Sequence, residues 1–272
     1  MKTLEIRPDL TLAYEDQCFG EPWSAPQTIV MVHGNAESSR AWTCWVPHLA
    51  RKYRVVRPDM PGFGASSEPT TYGWSVTELA ADLGHFLDRM DIAQCHLVGA
   101  KYGCSVAMQF AIDHSDRLLS LALFGSPVRG SGSGNADKIR ALGVRRWAAE
   151  TQRARLGSVA SDAQISWWTD ELMAKTNPRA AFHASSARID MELEQSLWRI
   201  GCPTLIVTTN ESGLQSVAAV EAYARNIPHA QVIVLPGDSY HIAAAEPDLC
   251  ADHLLRFLRD TPSISMLSES TP

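Results

Sequence analysis

The sequence predicts an α/β fold, with a mostly parallel central sheet interrupted by an inserted helical cap. Three observations carry this. Short, continuous apolar runs recur along the chain, as in Thr28–Val32 and Thr204–Thr208, and such runs suit strands buried on both faces of a parallel sheet. Segments with helical spacing lie between them, so strand and helix alternate as βα units. The alternation then stops: residues from about Ala136 to Trp198 read as helices with no strand among them, after which the βα pattern returns.

The elements follow in order. Thr28–Val32 is the first clear strand and ends in the turn signal His33-Gly34-Asn35. A second strand, Tyr53–Arg57, leads into the Pro/Gly-rich loop Pro58–Gly64. Ser75 or Thr77 can cap a helix whose apolar face is Leu79, Leu83, Phe86, Leu87 and Met90. The strand Cys95–Val98 precedes Gly99-Ala100-Lys101-Tyr102-Gly103, then a helix through Val106 and Phe110, then the strand Leu119–Phe124. Gly125–Gly134 reads as a flexible linker by composition. Beyond the cap come the strand Thr204–Thr208, a helix near Val217–Asn226, the strand Gln231–Leu235 and a last helix carrying Leu249, Leu254, Leu255 and Leu258. The expected organisation is a core from residues 1–127 and 201–260, a cap over 128–200, and a frayed Ser/Pro-rich tail over 261–272.

Composition narrows the function classes. The formal net charge of -6, with no basic stripe, argues against a nucleic-acid partner. The basic cluster Arg140, Arg145, Arg146, Arg153 and Arg155 reads as a solvated helix face. Six scattered cysteines without a C-x-x-C pair predict neither a disulfide framework nor a zinc site, and no metal or cofactor is expected. The first residues lack the apolar run of a secretory signal, and no stretch is long enough to span a bilayer, so the expectation is a cytoplasmic protein with no membrane partner. The sequence leaves the oligomeric state open.

The segment with the most chemistry is Gly99-Ala100-Lys101-Tyr102-Gly103, between a buried strand and a helix. A nucleophile elbow has this form, G-x-S-x-G, whose glycines allow a sharp turn that lifts the central side chain above the sheet. Here the central residue is lysine. With Val32-His33-Gly34-Asn35, Asp59–Gly64, and Tyr240-His241 followed by Glu246-Pro247, the chain resembles the α/β-hydrolase superfamily over about residues 28–258. Gly143–Ala148 and the surrounding cap resemble the 3-oxoadipate enol-lactonase-like branch. The resemblance implies His241 as the acid/base and an oxyanion hole from the backbone N–H of Asn35 or Ala36 and of Tyr102. It puts the triad acid on Ser212 or Ser126, neither a carboxylate. Glu211 is the substitute if the loop shifts by one residue, and Asp238 is the weaker candidate. Cys104 reads as a packing residue, and Trp147, Trp167 and Trp168 are the candidate pocket tryptophans, weighed against a role in the core.

A lysine at a helix N-terminus, beneath an apolar cap, loses stability as an ammonium. As a neutral amine it can form a Schiff base or act as a general base, with His241 moving protons. This points to an enzyme for a small carbonyl compound, namely a lactone, ester or β-dicarbonyl, by hydrolysis, C–C cleavage or decarboxylation. Simple ester hydrolysis fits poorly, since an acylated amine is an amide. Other readings stay open on sequence: an ammonium that binds an anion, a catalytically inactive ligand-binding protein, or a serine replaced by Lys101 in an ordinary serine hydrolase.

Overall fold

The computed structural model describes residues 1–130, 134–189 and 191–261. Part of the expected linker (131–133) and nearly all of the expected tail (262–272) lie outside the described residues. Eight strands form one sheet: β1 (Lys2–Arg7), β2 (Leu10–Gln17), β3 (Thr28–Val32), β4 (Arg54–Pro58), β5 (Cys95–Ala100), β6 (Leu118–Phe124), β7 (Thr204–Thr209) and β8 (Ala230–Leu235). Their order is β1-β2-β4-β3-β5-β6-β7-β8. The six strands from β4 to β8 in that order are parallel, whereas β1–β2 and β2–β4 pair antiparallel. The sheet is therefore mostly parallel, as the apolar runs require: every residue of β5 and of β7 is buried.

Helices cover both faces of the sheet. Val76–Arg89 starts at Ser75, whose hydroxyl accepts the Glu78 N–H, so Ser75 and not Thr77 is the cap. That helix packs with Tyr102–Asp113 on one face, sharing a core with Val30, Val32, Leu97 and Leu121. The C-terminal helix Pro247–Asp260 packs on the other face with Trp42, Trp45 and Phe124. Between β6 and β7 the described residues hold helices and one isolated bridge, Arg129 with Glu192, and no sheet strand. The cap's first helix, Gly134–Leu156, is broken at Gly143, which takes φ 75° and ψ 163°. Asp162–Ser166 continues into a π-helical turn, Trp167–Leu172, and Pro178–Ser186 closes the cap under an Asn177 cap.

Two features place the site. The cap's first helix ends against the loop that carries His241: the Arg155 carbonyl accepts both the His241 N–H and the Ser239 hydroxyl. On the opposite wall, Asp59 accepts the Ser39 N–H and the Ala65 N–H, tying the loop after β4 to the loop after β3.

Candidate active site

The turn after β5 is built for one side chain to stand clear. Lys101 takes φ 55° and ψ -116°, a left-handed conformation that costs a non-glycine residue about 1–3 kcal/mol. The glycines on either side explain how the turn closes. A Cβ on Gly103 would lie 2.1 Å from the Val32 carbonyl oxygen, and one on Gly99 would lie 2.7 Å from the Gly103 oxygen. Strand β3 and the helix Tyr102–Asp113 can approach this closely only without those side chains. Cys104, buried, donates its thiol to the Phe124 carbonyl; burial pushes that thiol up to about 12, so it serves as packing.

Lys101 reaches a cavity of about 180 Å³ whose lining includes Glu37, Trp147, Arg155, Arg188, Tyr240 and His241. Its Nζ lies 4.1 Å from the centre of the Tyr240 ring. Among the described residues it has neither a hydrogen bond nor an ion pair. Burial, and then the charges of Arg188 and Arg155, hold its ammonium well below the usual lysine range; Cys104 and Glu37 pull the other way without overcoming this.

The carboxylate at the site is one that sequence reasoning missed. Glu37 Oε1 accepts from His241 Nε2 at 2.8 Å, and its Oε2 accepts the Gly34 N–H at 2.9 Å. Both side chains are sealed, at 2% and 3% exposure. Gly34 makes room for the carboxylate, because a Cβ there would lie 2.5 Å from Glu37 Oε1. Burial would raise the Glu37 carboxyl, but the charge and hydrogen bond of His241, His33 and the Gly34 N–H outweigh it and hold it below its ordinary 4.5. His241 Nδ1 has no partner among the described residues, and Trp168 packs edge-on to the ring at 5.2 Å. His33 supports the loop: its Nε2 accepts the Met60 N–H, which leaves Nδ1–H to donate to the Gly34 carbonyl.

The remaining candidates fall elsewhere. Glu211 is exposed, its N–H bonded to Gly237, and it makes no hydrogen bond to His241. Its side chain is turned to solvent, and Glu37, from the loop after β3, holds His241 Nε2 instead. Ser126 bonds Tyr223, Ser212 accepts the Leu214 N–H, and Asp238 binds Ser158. Asn35 lines the cavity, with its side-chain amide on Ser185 and the Ala181 carbonyl. Ala36 has φ 61° and packs under the cap with Ile139, Val144 and Trp147. Tyr102 begins its helix, so its N–H has no intrahelical acceptor. Of the three tryptophans, only Trp147 lines the lysine cavity. Trp167 and Trp168 line a second one, of about 380 Å³, that lies toward Arg40 and Cys44.

The basic cluster divides. Arg145, Arg146 and Arg153 form ion pairs with Asp170, Glu150 and Asp162, and Arg140 lies over the Phe182 ring. Arg155 does not share that solvated face. It is 8% exposed, lies 4.1 Å above the Trp147 ring and enters the cavity. Helical spacing explains the exception, because Val144, Ala148, Gln152 and Arg155 form one buried stripe.

Residues 27–166 match the family described as the alpha/beta hydrolase fold. The chain belongs to the alpha/beta hydrolase fold family. An enol-lactonase from Burkholderia xenovorans LB400 superposes on this hydrolase-fold chain with a TM-score of 0.83 at 20% identity, covering 93% of this chain and 98% of that one. The 2-hydroxy-6-oxo-2,4-heptadienoate hydrolase of Pseudomonas putida is 34% identical over 105 residues, a stretch that spans 38% of this chain and 38% of that relative. RutD of Stutzerimonas stutzeri, assigned as a carbamate hydrolase, is 26% identical over 84% of this chain and 91% of its own length. No helix among the described residues is long and apolar enough to cross a membrane.

Proposed function

We propose that this alpha/beta hydrolase-fold chain is an enzyme for small carbonyl compounds in which Lys101 supplies a neutral amine and the Glu37–His241 pair moves protons. One observation carries the reading: Lys101 Nζ stands at the elbow, over a cavity, with no ion pair among the described residues and with two guanidinium groups whose charges outweigh that of the nearby Glu37, itself held by His241. An ammonium meant only to be buried safely would be paired. An amine kept neutral is a nucleophile.

In this reading the Lys101 nitrogen bonds to the carbonyl carbon. The carbonyl oxygen takes up protons and leaves as water, giving an iminium. The iminium accepts the electron pair of an adjacent C–C or C–H bond as it breaks. The resulting enamine is reprotonated by the Glu37–His241 pair, and water then releases the product and restores the amine. In this reading the backbone N–H groups of Asn35 or Ala36 and of Tyr102 receive charge on the carbonyl oxygen in the addition step. Hydrolysis of simple esters is disfavoured, because acyl transfer to Lys101 ends in an amide. Relatives named as hydrolases of a 6-oxo-dienoate and of carbamates are named for carbonyl substrates, which supports the substrate class.

Borohydride trapping tests this. With a panel of aldehydes and ketones, reduction is expected to leave a stable adduct on Lys101, mapped by peptide mass spectrometry and abolished in Lys101→Met. A ligand that binds the cavity but never yields the adduct, across the panel and at pH 7 to 9, would turn the assignment toward a non-catalytic binding protein.

A further inference from the structure

The charges facing the cavity are unbalanced. Lys101, Arg155 and Arg188 line it, against Glu37, whose carboxylate is already held by His241 and the Gly34 N–H. Neither arginine has an ion pair with a carboxylate among the described residues, and the Nε of each lacks a partner there. Arg155 donates through Nη1 to the Met173 sulfur, has the Tyr240 side chain as a further polar neighbour, and lies on the Trp147 ring. Arg188 lies 5.7 Å from the centre of the Tyr102 ring. A guanidinium stays charged at any working pH, and burying one without a carboxylate is costly. Arg155 is nevertheless placed inward at the end of a helix on which Arg145, Arg146 and Arg153 have acidic partners outside.

Size narrows the ligand further. The cavity, of about 180 Å³, falls below the roughly 300–1,000 Å³ of sites for drug-sized ligands and suits a small molecule. Such a molecule has room for one reacting carbonyl and one further polar group.

We infer that the substrate is a small oxo acid whose carboxylate is bound by Arg155 and Arg188 while its keto carbon faces Lys101. This rests on the amine reading of Lys101 for the chemistry, but the anion recognition is separable from it. Planar guanidinium groups match a carboxylate with paired N–H donors, which fixes the carbonyl relative to the amine. The same contacts set the reaction type. Arginines that stabilise a carboxylate oppose its loss as carbon dioxide, so the carboxylate is a retained handle. Bond breaking occurs on the far side of the keto carbon, as retro-aldol cleavage or proton removal, and not as decarboxylation.

Two measurements separate the two claims. Oxamate carries a carboxylate beside an unreactive amide carbonyl, so its binding reports the anion site without Schiff-base chemistry. Calorimetric titration is expected to show oxamate binding to the wild-type chain, weakened about tenfold or more in Arg155→Met and in Arg188→Met, and only partly restored in Arg155→Lys, which returns the charge without the paired donors. Arg188 is less buried than Arg155, so its variant serves if Arg155→Met fails to fold. No oxamate binding, or binding in both methionine variants as tight as in the wild-type chain, overturns the inference. Borohydride trapping with pyruvate and with methyl pyruvate then tests the chemistry. Trapping of pyruvate at much lower concentration than its ester, with the gap lost in the arginine variants, supports both claims. Equal trapping of the two in every variant overturns the carboxylate site and leaves the amine reading standing. Oxamate binding with no trapping of either removes the amine reading and keeps the anion site.

Discussion

Glu37 is the residue whose replacement tests the site most directly. Glu37→Ala removes the acceptor of His241 Nε2 and that of the Gly34 N–H, both sealed from water. Breaking a buried ionic pair by deleting one partner costs about 3–5 kcal/mol. Glu37→Gln keeps the volume and one oxygen for the Gly34 N–H, but loses the charge and turns an amide NH₂ toward His241 Nε2 in place of the accepting oxygen. It is expected to cost about 1.5–3 kcal/mol, the worth of a hydrogen bond to a charged group. Urea unfolding at pH 7 measures both. The pH dependence gives an independent reading. The folded-state carboxyl lies below its ordinary 4.5, so between the two values the unfolded chain binds more protons, and the stability Glu37 contributes is lost as pH falls through the folded-state value. The gap between the wild-type chain and Glu37→Gln is therefore expected to hold from neutral pH to about 5 and to close in acid. A cost below about 1 kcal/mol for Glu37→Ala, or a gap that does not change in acid, would refute the reasoning, because either result means Glu37 is solvated and unpaired.

Lys101→Met is expected to stabilise the fold at pH 7 while abolishing activity. Because burial holds the folded-state ammonium below 10.5, the unfolded chain binds more protons up to that pH, so wild-type stability rises with pH and the methionine's advantage should shrink toward pH 10.5 in urea unfolding. Gly103→Ala forces a Cβ to within 2.1 Å of the Val32 oxygen and 2.6 Å of the His33 oxygen, both backbone; a loss above about 4 kcal/mol, or failure to fold, is expected by circular dichroism. Lys101→Ser is expected to give no acyl-enzyme burst with p-nitrophenyl acetate, since no hydrogen bond joins position 101 to His241 among the described residues; a burst would show His241 Nδ1 free to serve a hydroxyl.

The parallel strands were legible because burial on both faces leaves continuous apolar runs, and β3, β5, β6 and β7 sit within two residues of their expected bounds. The antiparallel pair β1–β2 is harder to read, although Leu4 and Ile6, then Leu10, Leu12 and Tyr14, alternate with period two; the strands are partly exposed and polar residues interrupt the apolar run, so the signal is weak. The elbow was legible because its glycines are steric necessities. Glu37 was not, because a carboxylate in the polar run His33–Ser39 looks solvated. Its burial comes from the Trp42 and Trp45 turn, the cap and the His241 loop, which meet only in three dimensions. Arg155 lay between these cases. Charge composition grouped it with the outer arginines, whereas its spacing from Val144 and Ala148 set it on the inner stripe.

Moving the carboxylate partner of His241 changes what the fold can do at this turn. A serine hydrolase needs one imidazole nitrogen on the nucleophile and the other on an acid. Here the acid is on the wall after β3, and the nitrogen it holds, Nε2, belongs to a ring whose other nitrogen has no partner among the described residues. A hydroxyl at position 101 would have no base arranged to activate it, whereas a lysine needs none. Its activation comes from burial and from the cations supplied by the cap. In the proposed reading the elbow contributes position alone, the cap contributes charge, and the Glu37–His241 pair acts on the substrate's own protons and not on the nucleophile's. Proton transfer and nucleophilic attack would then fall to different walls of one cavity, so Lys101 and the pair could each be removed without dismantling the other.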